Sequence, residues 1–211
     1  MKITKIYGSQ IAPNPRRVQF MIQYKGLDIP VEYIDLMKAQ QLSPEFLAVN
    51  PSGTIPVAIL DEGESFFTET LPILQLIESL YPEKPLFGGD IIEKTKILSW
   101  INTIYMQGFI PIAEVLRNGH PAFEGRALPG LKSIAQIPEL VTRGKALLET
   151  FSETMDSALS GKEFLVNDKL SQADIDLFVM CEFSDLSACT IYTDQYPNLK
   201  AHAARLKELL S

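Results

Sequence analysis

Cysteine is absent from the first 180 residues, and the whole chain holds two, Cys181 and Cys189. A dithiol redox centre needs a thiolate at the start of a first helix, usually as Cys-x-x-Cys, so that chemistry is excluded. Two late thiols make no disulfide framework and read as buried, inert groups. Histidine is equally scarce. His120 and His202 stand in no ligand-like spacing, which leaves a metal site without support. No apolar run approaches the roughly 20 residues of a membrane span, and the first residues lack the charged-then-apolar pattern of a secretion signal. The expected location is therefore the cytoplasm, with no membrane partner. Basic charge is in deficit, 19 Lys+Arg against 26 Asp+Glu for a net charge of −7, which argues against nucleic acid and anionic lipid as partners. An anionic ligand must be held by local groups.

What is present is a core. A hydrophobic content of 46% over 211 residues suffices for one large domain or two small ones. The first 80 residues alternate: a strand over Ile3 to Tyr7, a helix opened by Asn14-Pro15 and stopped at Gly26, and a strand over Val31 to Leu36. A short helix from Ser43-Pro44 to Val49, a hairpin through Pro56 and a helix after Thr70 follow. That βαβαββα order implies a parallel βαβ unit joined to an antiparallel hairpin. Tyr81 to Asp90 gathers prolines and glycines, which sets the boundaries at 1–81, a linker at 82–90 and a second domain at 91–211. The second domain reads helical throughout: Ile91 to about Arg117 with a kink at Pro111, an irregular excursion over Asn118 to Pro138, then helices over Pro138 to Leu159, from Ala173 and after Pro197.

Residues 50 to 70 carry the chemistry. Asn50-Pro-Ser-Gly-Thr-Ile-Pro56 precedes the apolar strand Val57 to Leu60, the polar turn Asp61-Glu62-Gly63-Glu64 and Phe66-Phe67, and the segment closes on Glu69-Thr70 at a helix start. Pro56 cannot donate to a ladder and belongs at the first position of a strand, where a cis X-Pro bond is cheap. That arrangement offers the Ile55 N–H and C=O to an extended ligand, and the helix beginning at Thr70 offers amides to a carboxylate. This stretch resembles the glutathione-binding half of the cytosolic glutathione S-transferases, whose signature runs Asn-Pro-x-Gly-x-(Val/Ile)-Pro, a hairpin, then Glu-Ser; here Thr70 keeps the hydroxyl. Ala12-Pro-Asn-Pro-Arg-Arg-Val18 looks like the family's first active-site loop, in the manner of a bacterial branch, and Ser171-Gln-Ala-Asp174 looks like its second-domain capping motif.

The resemblance implies an α/β thioredoxin-like N-terminal domain followed by an all-α C-terminal domain, and a homodimer. The implied activity is attack of bound glutathione thiolate on an electrophilic small molecule, with no cofactor beyond glutathione as co-substrate. It places the γ-glutamyl end of glutathione on Glu69 and Thr70 and the cysteinyl residue on the backbone of Ile55 beside Thr54. Gln41 is the candidate for the glycyl carboxylate, and Ala12 lies at the thiol. Serine-type members carry a hydroxyl where this chain has Ala12, so three donors compete for the sulfur: Asn14, as in a related bacterial branch with a Thr-Pro-Asn loop, Ser9 and Tyr7. Loop amides are the remaining option. Asn14 also reads as an N-cap, and Arg16 and Arg17 as surface or interdomain ion pairs. Pro13, Tyr105, Met106 and Phe109 are expected at the second-substrate pocket. Two other readings stay open: glutathione-dependent peroxide or disulfide reduction, and a non-catalytic interaction module, which Ala12 favours.

Overall fold

The computed structural model describes residues 1–61 and 66–210; beyond Asp61, the expected polar turn at Asp61–Glu64 lies outside the described residues. The chain divides into two compact units, residues 1–85 with 129–132, and residues 86–128 with 133–211. The first is α/β and the second helical.

In the first unit, β1 (Ile3–Gly8) leads through α1 (Pro13–Lys25) to β2 (Val31–Tyr33), which pairs with β1 in parallel. A 3₁₀ turn (Gln40–Leu42) and α2 (Pro44–Val49) precede β3 (Val57–Leu60) and β4 (Phe66–Thr68), both antiparallel, and α3 (Thr70–Leu80) closes the unit. The sheet order is β2-β1-β3-β4. Val18, Met21, Ile73, Leu74 and Ile77 are buried where α1 packs on α3. Ile34, Phe46 and Val57 form a second cluster, with Tyr7, Val49 and Ile55 against it.

Two local expectations are corrected. β2 ends at Tyr33 instead of Leu36, because the Asp35 carboxylate accepts from the amides of Met37 (3.0 Å) and Lys38 (3.1 Å) and folds the chain into a turn. The bond from the Lys38 amide leads the effects that hold the Asp35 carboxyl below its usual range. The first helix begins at Pro13, with Ala12 as its N-cap and no side-chain cap, so Asn14 is not the cap. Proline at the first helical position loses nothing by lacking an N–H and presets φ. The other end behaves as expected: Gly26 is left-handed, and its N–H bonds the carbonyls of Gln23 and Ile22.

The division falls after Pro85, between the expected limits at 81 and 91. Lys25 explains the first half of that difference. Its buried Nζ donates to the carbonyls of Tyr81 (2.8 Å), Glu83 (3.0 Å) and Lys84 (3.1 Å) and pairs with Glu78 at 2.8 Å, so the Pro-rich turn is bound into the first unit. Leu86 and Phe87 are buried in the second unit, where the Leu86 carbonyl accepts from the Gln172 amide.

The second unit contains α4 (Ile91–Ile104), α5 (Ile110–Gly119), α6 (Glu139–Ala158), α7 (Gln172–Leu186) and α8 (Pro197–Leu209). The expected kink at Pro111 is a π-helical turn, Tyr105–Phe109. Pro111 has no N–H for the Gln107 carbonyl, and the helix widens so that the Ile110 amide reaches the Tyr105 carbonyl. α5 and α6 cross at Gly144, where an added Cβ would lie 2.7 Å from the Pro111 carbonyl oxygen. At the start of α7 the Asp174 carboxylate accepts from the Ser171 amide (2.9 Å) and hydroxyl (2.6 Å) on one oxygen, and from the Leu165 amide (2.8 Å) on the other. His202 Nε2 stands 3.1 Å from that second oxygen. The capping box is thus the hub of a buried network. Among the described residues no helix is long and apolar enough to cross a membrane.

Candidate functional site

The register of the β3/β4 hairpin builds the site in the first unit. Val57 pairs with Thr68 at the end of the β3/β4 ladder, with Ile55 two residues before this rung and Thr70 two residues after it. The Ile55-Pro56 peptide is cis. Among the described residues neither the N–H nor the C=O of Ile55 has a hydrogen-bond partner, while its side chain packs on the Phe46 cluster. An unpaired strand edge takes another extended chain.

Across that edge stands the start of α3. Thr70 is buried and Glu69 exposed, and the helix has no side-chain cap. Its first two amides, of Thr70 and Leu71, have no partner among the described residues, and Pro72 has no N–H. Such an N-terminus binds a carboxylate. Glu69 has φ 68° and ψ 131°, a left-handed conformation that costs a non-glycine residue about 1–3 kcal/mol and persists only when its surroundings fix it.

Asn50 fixes the turn that leads into Ile55. Its Nδ2 donates to the Thr54 carbonyl (2.8 Å), and its Oδ1 accepts from the Ser52 amide (3.1 Å) and hydroxyl (2.8 Å). The Ser52 and Thr54 hydroxyls are joined at 2.7 Å. Gly53, at φ 63°, lets this turn meet the Gln41 backbone: a Cβ there would lie 3.2 Å from the Gln41 carbonyl oxygen. Gln41 is half-buried beside it, its Oε1 buried without a hydrogen-bond partner.

The loop after β1 has few free backbone donors. Pro13 and Pro15 have none. The Ala12 amide is bound to Ser9 Oγ at 3.2 Å, and the Ile11 amide to the same oxygen at 3.3 Å. Ser9 is 3% exposed and serves its own loop. Tyr7 stands in β1 with its ring edge-on to Phe46 (centroids 5.5 Å apart) and the Lys5 ammonium 5.1 Å from its face. Asn14 remains. Arg17 Nη1 lies 3.2 Å from its side-chain oxygen, and because a guanidinium only donates, the facing atom must be Oδ1. The Nδ2 group is then left as a free donor on the half-buried loop.

Sequence reasoning missed this orienting role of Arg17, which is 2% exposed; an arginine three residues after an asparagine on one helix face was its signal. Asn50 was quoted in the motif without its function as the turn's staple.

In the second unit, Tyr105 (41% exposed) and Met106 (53%) stand on the surface of the π turn, and Phe109 (5%) is buried. Pro13 is half-buried at the start of α1. Burial pushes the Cys181 thiol far up, with Asp185 and Glu182 adding to the effect; Cys189 is half-buried.

Residues 6–85 match the family model "Glutathione S-transferase, N-terminal domain", and residues 139–210 match "Glutathione S-transferase, C-terminal domain". Together they span more than two thirds of the chain. A zeta-class glutathione S-transferase of Euphorbia esula is 37% identical over 78 residues, which cover 37% of this chain and 34% of that protein. The chain therefore spans about a third of that relative's length. Glutathione S-transferase 2 of Saccharomyces cerevisiae is 29% identical over 177 residues, 81% of this chain and 71% of that protein. Among solved structures, Gtt2 from Saccharomyces cerevisiae shares the fold with a TM-score of 0.84 at 24% identity, covering 97% of this chain and 99% of that one.

Proposed function

The chain belongs to the glutathione S-transferase family, and from there we propose that its first unit holds reduced glutathione and passes the thiolate to an electrophilic small molecule, forming a C–S bond. The observation that carries this reading is the unpaired Ile55 backbone at the end of the hairpin from which the uncapped α3 starts. The cysteinyl residue pairs with Ile55 as an added strand, next to Thr54. The γ-glutamyl carboxylate takes the free amides and hydroxyl at Thr70, and its ammonium group takes Glu69. Gln41 serves the glycyl carboxylate. The thiol sits over Ala12, where Asn14 Nδ2 donates to the sulfur.

The energetics suit that assignment. A free thiol near pKa 8.5 is a few per cent ionised at neutral pH, and lowering it two units takes about 2.7 kcal/mol. One charge-assisted hydrogen bond and a helix N-terminus supply that order of energy. Exposed Tyr105 and Met106 are the second unit's candidates for contact with the electrophile. A homodimer and a cytoplasmic location complete the reading.

Calorimetric titration with reduced glutathione is the test: one saturable site per chain is expected. Asn14→Ala should then leave affinity within a few-fold and lower the conjugation rate about 10- to 100-fold, with the pH profile displaced upward as the bound thiol loses its donor. An unchanged rate removes Asn14 from the sulfur. Ala12, with no hydroxyl to offer, favours a second reading, an interaction module without catalysis. Absence of binding heat at millimolar glutathione, at two temperatures, would select it. Peroxide or disulfide reduction uses the same thiolate and is separated from conjugation by product analysis.

A further inference from the structure

Between Lys38 and Lys84 the chain holds no Lys, Arg or His, yet this stretch carries Gln41, the Asn50–Thr54 turn, Ile55 and the start of α3. The two flanking cations are committed elsewhere. Lys38 pairs with Asp35 at 3.4 Å, and Lys84 Nζ donates to the Tyr24 carbonyl at 3.1 Å. The γ-glutamyl carboxylate has a helix N-terminus to meet it, whereas the glycyl carboxylate finds in Gln41 an amide and no charge.

A cation reaches that turn from far along the sequence. The excursion between α5 and α6 is a stapled loop. The Ala127 amide donates to the Ile134 carbonyl (3.1 Å), the Ile134 amide to the Gly125 carbonyl (2.9 Å), and Gln136 Nε2 to the carbonyls of Arg117 (2.8 Å) and His120 (2.9 Å). Its tip, residues 129–132, belongs to the first unit. A Cβ at Gly53 would lie 3.2 Å from the Gln41 carbonyl oxygen and 3.4 Å from the Leu131 side chain, so the tip and Gln41 converge on one point. The next residue is Lys132, exposed and, among the described residues, without a hydrogen bond or ion pair. In a chain of net charge −7, this ammonium has no carboxylate of its own. Its flexible four-carbon stem lets it range over the turn.

On the premise that the first unit holds glutathione, we propose that Lys132 supplies the positive charge for the glycyl carboxylate, beside the Gln41 amide. The excursion then sets specificity: it makes the chain prefer glutathione to thiols whose C-terminal carboxylate is blocked. Solvent exposure keeps the contribution moderate and salt-dependent.

The test is a calorimetric cycle on the full chain, with reduced glutathione and its glycyl monoethyl ester as ligands. The parent chain should prefer glutathione to the ester. K132Q should weaken glutathione about three- to tenfold at low salt and leave the ester nearly unaffected, so that the preference shrinks by the same factor. K132E should weaken glutathione further, and K38Q should leave the preference intact. Because Lys132 is exposed, circular dichroism and Tm should not change. Raising the ionic strength should narrow the gap between parent and K132Q. No binding of glutathione by the parent removes the glutathione site, and Lys132 with it. Binding by the parent with unaltered affinity in K132Q and K132E, or a preference over the ester undiminished in K132Q, leaves that site standing and takes Lys132 out of it.

Discussion

Asn14 shows how little of a residue's role lies in its own identity. Its side-chain amide keeps a free N–H₂ group because Arg17 occupies its oxygen, while the neighbouring Ala12 amide is bound to Ser9. The sequence held all three residues within nine positions, yet the division of labour depends on which hydroxyl folds back on which amide. A similar contrast separates the two thiols. Cys181 is buried and its pKa raised, first by desolvation and then by Asp185 and Glu182, so its thiolate is negligible at neutral pH in the folded chain. Cys189 is half-buried. Titration of the native protein with a chromophoric disulfide at pH 8 should therefore consume one thiol quickly, and the second only after unfolding. Two fast thiols would contradict the placement of Cys181.

At the scale of elements, most of the chain was legible because the relevant signals are local. The order of strands and helices in the first unit, the glycine stop of α1 and the Ser171–Asp174 box follow from hydrophobic period and capping chemistry. What stayed hidden was decided by partners remote in sequence or by competition for backbone groups. Lys25 looked like an ordinary basic residue in a last helical turn, whereas it ties α1 to Glu78 on α3 and to three carbonyls of the following turn. Lys25→Met should cost about 2–4 kcal/mol in chemical denaturation, since it strands those three carbonyl acceptors; a loss below 1 kcal/mol would show that water replaces the ammonium. Pro111 announced a kink, but the π turn depends on how the Tyr105 and Gln107 carbonyls find donors. Gly144 is the companion of that turn. Gly144→Ala forces a methyl against the Pro111 carbonyl and should lower stability by about 1–3 kcal/mol by parting α5 from α6. An unchanged Tm would mean the crossing relaxes freely.

For the whole molecule, the expected association is with a second copy. β4 exposes Phe66 and Phe67, and the start of α4 exposes Ile91 and Ile92, side chains that water penalises on a lone chain. Sedimentation equilibrium at micromolar concentration should return twice the 23.6 kDa chain mass, and a persistent single-chain mass would withdraw the dimer. The division into units has a further consequence for the gene. Residues 129–132, encoded deep in the helical half, belong to the first unit, where the Leu131 side chain stands 3.4 Å from the Cβ position at Gly53. The two halves are therefore not exchangeable cassettes. A recombinant that joins residues 1–85 to the helical half of another protein leaves the Gly53 turn under a foreign tetrapeptide, and a mismatch there would pass to the neighbouring Gln41 and Thr54. Shuffling at the apparent boundary should yield folded but misfitted chains unless these four codons travel with the front of the gene.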